Sequence, residues 1–293
     1  MSTITAPPLT SGVCATLACL WEATAAKPGN VYRAADFEDV TYADFLTSSA
    51  AIAPAMDAAA TIGVGPAVLQ AVAATRAAVA TNTNLGTVLL LAPLAAIPLT
   101  RSQSLAEGLP TILEGLTQQD ASDAFAAIRL AQPGGLGSAE RADVNDPHLP
   151  PVTLLSAMQL AAPRDLVARQ YANGFMDVFA VADRIEEFAA AKLPLGEVIV
   201  RSYLHLIAEH GDTLVERKCG AAASQEIARR ARRVLDALQR QGEEVYRDAT
   251  ADFDFWLRAD GHRRNPGASA DVVAAALFVL LREGRIVWPI EFY

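Results

Sequence analysis

Apolar residues recur every three or four positions through most of the chain, beginning with Val13, Leu17 and Leu20. Residues at this spacing share one face of an α-helix, so the pattern predicts helices that bury an apolar stripe. Strand-like alternation is nearly absent, and only 285–292 is a short strand candidate. The pattern therefore predicts an all-α fold. The predicted helices lie at about 11–26, 45–60, 66–79, 84–93, 121–131, 152–161, 164–190 with a weak point at Asn173 and Gly174, 195–210, 221–241, 243–260 and 270–283.

The length of the chain allows one large domain or two ordinary ones. Its 293 residues contain no repeat of fixed period and no linker long enough to divide them. We therefore expect a single globular multi-helix domain over 1–293, in which 1–10 forms a flexible N-terminus.

Composition argues against several classes of function. The 24 Lys and Arg residues against 33 Asp and Glu residues give a net charge of −9, which disfavours nucleic-acid binding through a basic surface. The start of the chain has neither the basic segment nor the long apolar core of a signal peptide. The most apolar run, 85–99, contains Pro93 and Pro98 and is too short to span a membrane. Three cysteines without metal-ligand spacing or disulfide density fit a reducing cytoplasm.

A polar stretch from Thr81 to Gly86 separates two apolar helical segments. Burying an unpaired amide costs about 1–3 kcal/mol, so these side chains need partners. Thr83 or Asn84 could cap the helix that follows. The alternative is a phosphate or sugar at that helix N-terminus, where free N–H groups and the helix dipole favour an anion. The stretch alone favours the cap.

The carboxylate of Glu22 falls in the last turn of the first predicted helix. There it faces the negative end of the helix dipole, at a cost of roughly a few tenths of a kcal/mol or more. Full solvation, an ion pair with Lys27 or Arg33, or a divalent metal would each relieve this cost.

A glycine-rich loop followed by carboxylates is the second polar feature. It contains Gly134 and Gly135, then Glu140, Asp143 and Asp146. Glycines let a backbone approach a ligand closely, and clustered carboxylates suit hard cations such as Mg²⁺. An exposed acidic loop would explain the same residues, so the loop alone decides nothing.

The sequence contains no Gly-x-Ser-x-Gly, Walker or His-Glu-x-x-His motif. His205 and His210 are poor joint metal ligands, because a separation of five residues places them about 140° apart around a helix. His148 and His262 fall in predicted loops, where a surface or supporting role is favoured over catalysis. What remains are polar and acidic loops at helix ends, which suit the positioning of a metal-bound phosphate ester.

These loops, in this order, resemble the triphosphoribosyl-dephospho-CoA synthase family. The resemblance extends over almost the whole chain and rests on six short blocks, each of them weak alone. The blocks are Glu22 with Lys27-Pro28-Gly29-Asn30-Val31 and Arg33, Phe45 to Ala50, Asn82-Thr83 with Gly86, the glycine loop with Glu140, Asp212-Thr213 with Gly220, and Asn265 to Asp271. The family's fold is all-helical, in agreement with the periodicity.

Three departures mark a divergent branch, similar to homologues in archaea and methylotrophic bacteria. The family typically has Asn-Thr-His-Lys-Gly where this chain has Asn84 and Leu85 in place of the His-Lys pair. Its Arg-Gly-Glu-Ala block lacks the arginine here, although Arg141 could reach the same space. Its Arg-Gly-Gly block near the Asp-Thr pair becomes Arg217-Lys218-Cys219-Gly220.

The resemblance implies a cytoplasmic, Mg²⁺-dependent transferase that moves the triphosphoribosyl part of ATP to 3′-dephospho-CoA and releases adenine. It implies catalytic and metal-binding roles for Glu22, Glu140 and Asp143, while Asp212 and Asp271 would orient ribose hydroxyls or a water-bridged metal. The residues implied to bind phosphate or nucleotide are Lys27, Asn30, Arg33, Asn82, Thr83, Asn84, Gly86, Gly134, Gly135, Asp212, Ser269 and Asp271.

Two alternatives stay open beside this activity. A different acceptor, in the synthesis of a one-carbon carrier such as methanopterin or methylofuran, would explain the lost His-Lys pair. The second alternative is a helical protein that binds a nucleotide without catalysing a reaction. Carboxylates beside a polar pocket argue mildly against this alternative. The expected partners are small-molecule substrates, with neither nucleic acid nor membrane. The sequence allows a homodimer without deciding the oligomeric state.

Overall fold

Helices form most of the described chain, as the periodicity predicts. The computed structural model describes residues 9–98, 103–133 and 152–293. The all-α fold is confirmed, and the described residues add one short strand, β1 (Ala259–His262). The helices of the described residues are α1 (Ser11–Thr24), α2 (Tyr42–Ala51), α3 (Ala53–Ile62), α4 (Val64–Ala78), α5 (Leu85–Ala95), α6 (Leu105–Glu114), α7 (Gln118–Ala131), α8 (Leu154–Ala161), α9 (Leu166–Asn173), α10 (Met176–Ala190), α11 (Leu195–His210), α12 (Thr213–Cys219), α13 (Ala221–Gln241), α14 (Glu243–Arg258) and α15 (Gly267–Arg282).

Two of the predicted helices are each divided in the structure. The segment predicted at 45–60 forms α2 and α3, which meet at Ile52. The segment predicted at 164–190 forms α9 and α10, separated at Gly174, whose φ of +70° suits glycine. The weak point beside Gly174 is therefore confirmed. Periodicity misses the break at Ile52 because the apolar stripe continues through it.

The short strand candidate at 285–292 does not form a strand. This segment runs along the start of α11, where Glu291 O accepts a hydrogen bond from Leu195 N at 2.8 Å and Phe292 O accepts one from Gly196 N at 3.0 Å. The first N–H groups of a helix have no intrahelical partner. The segment satisfies two of them instead of pairing with another strand.

Helices α5 and α15 form the centre of the core. Of the 16 residues of α15, 12 are buried, and the helix packs against α1, α5, α10 and α11. Of the 11 residues of α5, 10 are buried. A helix buried on all its faces belongs in the middle of a helical protein. The N-terminal ends of both helices, which carry predicted site residues, are therefore held rigidly.

One described stretch, Tyr42–Ile62, is long and apolar enough to cross a membrane by length and composition. It consists of α2 followed by α3, and both helices pack against α1 and α4. Only 33% of its apolar window is buried, so the stretch packs against its neighbours through part of its surface.

Candidate active site

A cavity of about 690 Å³ opens where the polar ends of several helices meet. It is lined by the end of α1, the starts of α5 and α15, the end of α12, the α8–α9 connection and the segment after β1. Its volume lies within the range of about 300–1,000 Å³ that is usual for small-molecule sites. The sequence-predicted site residues that line it are Glu22, Asn30, Asn82, Thr83, Asn84, Gly86 and Asp271.

The polar stretch before α5 is held by hydrogen bonds within the protein. Asn82 Oδ1 accepts from Leu85 N at 3.2 Å, and this bond caps the start of α5. Asn84 occupies the N-cap position without a side-chain capping bond, and Thr83 Oγ1 donates to Ser48 Oγ at 2.7 Å. Asn84 is thus the N-cap residue by position, as the sequence allows, but its side-chain oxygen accepts from Thr75 Oγ1 and does not cap the helix.

Two buried amide atoms beside the cavity lack partners among the described residues. Asn84 Oδ1 accepts from Thr75 Oγ1 at 3.1 Å, but Asn84 Nδ2 donates to nothing. Asn30 Nδ2 donates to Tyr203 Oη and Asn265 Oδ1, whereas Asn30 Oδ1 accepts from nothing. Asn84 is 7% exposed and Asn30 5%. Because an unsatisfied buried polar group costs about 1–3 kcal/mol, one free donor and one free acceptor here call for water or a polar ligand as partner.

Asp271 brings a carboxylate from α15 to the start of α5. Its Oδ1 accepts a hydrogen bond from Thr87 Oγ1 at 2.6 Å, and a Cβ atom on Gly86 would lie 2.0 Å from its Oδ2. Burial, together with the negative charges of Glu22 and Asp212, raises the pKa of Asp271 to about 8, against the lowering effect of the Thr87 bond. Asp271 is therefore largely protonated at neutral pH.

Glu22 is held at the cavity by an ion pair with Lys27. Lys27 Nζ lies 2.8 Å from Glu22 Oε1 and also donates to Glu22 O, while its side chain is fully buried. The ammonium thus satisfies both the carboxylate and the end of α1, where cations are favoured. This is the ion pair that the sequence allows, but Lys27 itself does not line the cavity.

Asp212 and Ser269 are buried beneath the cavity and do not line it. Asp212 Oδ1 accepts from Leu214 N and Val215 N at the start of α12. Its Oδ2 accepts from the backbone N and the Oγ of Ser269, both at 2.8 Å. One carboxylate therefore caps α12 and also satisfies the first turn of α15. Both its oxygens are occupied, so the structure gives Asp212 a positioning role.

The remaining predicted site residues lie elsewhere. Arg33 is exposed and does not line the cavity. Gly134, Gly135, Glu140 and Asp143 lie outside the described residues. Within the described ranges no group of three His, Cys, Asp or Glu side chains could hold a metal ion.

The sequence does not predict the cationic wall of the cavity. It consists of Arg164 before α9 and Arg217 and Lys218 at the end of α12. Arg217 and Lys218 fall in one of the divergent blocks, but Arg164 is about 50 positions away and belongs to none, so only the fold brings the three together. His262, for which a surface or supporting role was favoured, lies at the same cavity, with Nδ1 3.0 Å from Asp39 Oδ1.

The chain matches a family model over residues 9–289, and the family is described as ATP:dephospho-CoA triphosphoribosyl transferase. The match covers nearly the whole chain, and the protein belongs to this family of transferases. The family expected from the six sequence blocks is thereby confirmed. No curated protein matches the sequence at a significant level.

A solved structure with the same fold comes from Archaeoglobus fulgidus. It is the crystal structure of a provisionally assigned triphosphoribosyl-dephospho-CoA synthase. The likeness has a TM-score of 0.63 at 24% sequence identity and covers 82% of this chain and 99% of the archaeal one. At this identity the likeness establishes the shared fold and nothing further.

Proposed function

We propose that the cavity is the site at which the protein transfers the triphosphoribosyl part of ATP to 3′-dephospho-CoA. The unpartnered amide atoms of Asn84 and Asn30, beside the carboxyl groups of Glu22 and Asp271, support this most directly. A nucleotide offers phosphate oxygens to the free donor, ribose hydroxyls to the free acceptor and a leaving base to an acid. The cavity volume is suitable for such a ligand.

The reaction is a substitution at one carbon of the ATP ribose. An oxygen of the acceptor ribose attacks C1, and the bond from C1 to the adenine nitrogen breaks. The bonding electron pair leaves with adenine, which also gains a proton in exchange for the hydroxyl proton released by the acceptor. Nothing is oxidised or reduced, so catalysis consists of positioning, charge stabilisation and proton transfer.

Two carboxyl groups in different environments supply the proton transfers. Glu22, paired with the Lys27 ammonium, is proposed to accept the acceptor's hydroxyl proton. Asp271, whose pKa is raised to about 8, is proposed to donate a hydrogen bond or proton to the leaving base. Asp271 is thus the proposed acid and Glu22 the proposed base of the transfer.

Magnesium is part of the proposal, and the described residues fit it in part. Mg²⁺ usually binds through one or two carboxylates together with substrate phosphates and water. Among the described residues, Glu22 is the proposed carboxylate ligand of Mg²⁺. Glu140 and Asp143 are the proposed further ligands. The bound ion would neutralise charge on the triphosphate. Asn82 and the backbone at Gly86 would contact the phosphates, because they stand at the N-terminus of α5.

A cytoplasmic location belongs to the same proposal. The cysteines Cys14, Cys19 and Cys219 are free thiols, as in a reducing compartment where ATP and CoA precursors are available.

Adenine release is the measurement that tests this function. Purified protein with ATP and Mg²⁺ should release adenine only when 3′-dephospho-CoA is added, and Glu22→Gln should reduce the rate at least 100-fold. The matched control is Glu244→Gln, because Glu244 is exposed and does not line the cavity. Full activity in Glu22→Gln, with its fold verified by circular dichroism, would remove Glu22 from the chemistry.

A second acceptor is supported by one feature of the cavity wall. Leu85, where the family has a lysine, places an apolar side chain in the lining. An acceptor from the synthesis of a one-carbon carrier, such as methanopterin or methylofuran, is the alternative. Adenine release that depends on such an acceptor, with no response to 3′-dephospho-CoA, would select it.

A further inference from the structure

The cationic wall contains an ammonium group without a counter-ion on the described protein. Arg217, at the end of α12, forms an ion pair with Asp165. Its neighbour Lys218 lines the cavity and forms no ion pair with any described carboxylate. Arg164, in the α8–α9 connection, also lines the cavity and likewise has no described ion pair.

Lys218 is half-buried, which makes the missing partner costly. Burial lowers the pKa of the Lys218 amine, and the more distant charges of Asp212 and Asp39 do not cancel this effect. Asp212 cannot serve as the partner because its two oxygens already accept four hydrogen bonds. A half-buried ammonium in a cavity wall is favoured by a nearby anion, and no described carboxylate pairs with this one.

The cationic wall and the proposed catalytic groups come from different parts of the fold. Glu22, Asp271 and the free amide of Asn84 belong to α1, α15 and the start of α5. Lys218 and Arg164 belong to the end of α12 and the α8–α9 connection. One cavity thus carries carboxyl groups from α1 and α15 together with cationic groups from α12 and the α8–α9 connection.

We propose that Lys218, supported by Arg164, forms a second anion subsite that binds the diphosphate of the acceptor substrate. The inference rests on the proposed function, in which the triphosphate of ATP binds at the N-terminus of α5. The acceptor then binds beside the end of α12. Lys218 is then a specificity-determining residue that selects acceptors carrying a phosphate group.

Calorimetric binding to Lys218→Met tests the subsite without turnover. Wild-type protein, Lys218→Met, Lys218→Arg and the matched control Lys192→Met are titrated separately with 3′-dephospho-CoA, ATP with Mg²⁺, and inorganic pyrophosphate. Lys192 is exposed and outside the cavity lining. Loss of one charge-assisted contact should weaken 3′-dephospho-CoA and pyrophosphate binding about tenfold or more in Lys218→Met. Lys218→Arg should recover most of the lost affinity for these two ligands. The affinity of Lys218→Met for ATP should differ from that of the wild type by less than about twofold.

The three ligands separate the subsite from the proposed reaction. Weakened ATP binding with unchanged 3′-dephospho-CoA binding would overturn the proposal and assign Lys218 to the donor triphosphate. Unchanged binding of all three ligands would also overturn it. Pyrophosphate binding that depends on Lys218, in a protein that does not bind 3′-dephospho-CoA, would support the subsite while contradicting the proposed acceptor.

Discussion

Asp271 lies so close to Gly86 that a Cβ atom on the glycine would be 2.0 Å from Asp271 Oδ2. The next residue, Thr87, donates to the other carboxyl oxygen at 2.6 Å. Glycine at position 86 therefore admits the side chain of α15 to the first turn of α5. Two largely buried helices meet at this contact, beside the cavity.

Gly86→Ala should disturb this contact and abolish turnover. The added methyl group overlaps the Asp271 carboxyl group, and overpacking of this kind lowers the free energy of unfolding by about 1–3 kcal/mol. Urea denaturation measures the loss, and adenine release measures turnover. The variant Asp271→Ala lacks the overlapping carboxyl atoms. In that background, Gly86→Ala should lower the free energy of unfolding far less than it does in the wild type. Equal costs in both backgrounds would show that the contact is not the cause.

Lys27→Met should unfold at much lower urea concentration than the wild type. The fully buried ammonium is the partner of Glu22, and removing one member of a buried ion pair typically costs about 3–5 kcal/mol. Adding Glu22→Gln to Lys27→Met removes the stranded charge and should recover part of the stability but none of the turnover. A Lys27→Met protein as stable as the wild type would contradict the buried pair.

The stability of the ligand-free protein should depend on pH through Asp271. The pKa of its carboxyl group is raised from 3.8 to about 8, mainly by burial, so the folded protein holds this proton more tightly than the unfolded chain. The resulting stabilisation is complete below about pH 4 and is lost as the pH rises toward 8. In EDTA, wild type should therefore lose stability relative to Asp271→Asn between pH 5 and 8. Parallel curves for the two proteins would contradict the raised pKa.

Thr75 and Asn84 allow ligand binding to be separated from stability. Thr75→Val removes the partner of Asn84 Oδ1 and should lower the free energy of unfolding by about 1–2 kcal/mol, while ATP with Mg²⁺ still raises the melting temperature. Adding Asn84→Leu removes the amide that lost its partner, so the free energy of unfolding should partly recover. The rise in melting temperature caused by ATP with Mg²⁺ should disappear. A double variant that keeps the full rise would exclude Asn84 Nδ2 from the nucleotide site.

The sequence predicts the helices well where a long apolar stripe ends in a clear polar break. The bounds of α11 and α13 are confirmed as predicted. Helix α6 is missed, although Ser104 and Glu107 form a capping box at its start. The helix has only 10 residues, and it contains a glycine and a proline and is followed directly by a second glycine. Short helices depend on tertiary packing, which periodicity does not report.

The candidate site is only partly predictable for a related reason. The blocks containing Glu22, Asn84 and Asp271 indicate polar groups at helix ends, and the fold brings them to one cavity. The sequence does not indicate that Asp212 faces the backbone of α15 or that Lys218 faces the cavity. Those outcomes depend on how α12 is oriented against α15, and side-chain direction over such a contact follows from packing.

Transfer of labelled ribose from ATP to the acceptor is the direct test of the proposed reaction. The protein is incubated with Mg²⁺, 3′-dephospho-CoA and ATP that carries ¹³C at every ribose carbon, and the products are identified by mass spectrometry. We expect unlabelled free adenine and an acceptor that gains the whole labelled ribose with its three phosphates, in equal amounts. An acceptor that gains only a phosphate or an adenylyl group, or adenine release without labelled acceptor, would contradict it.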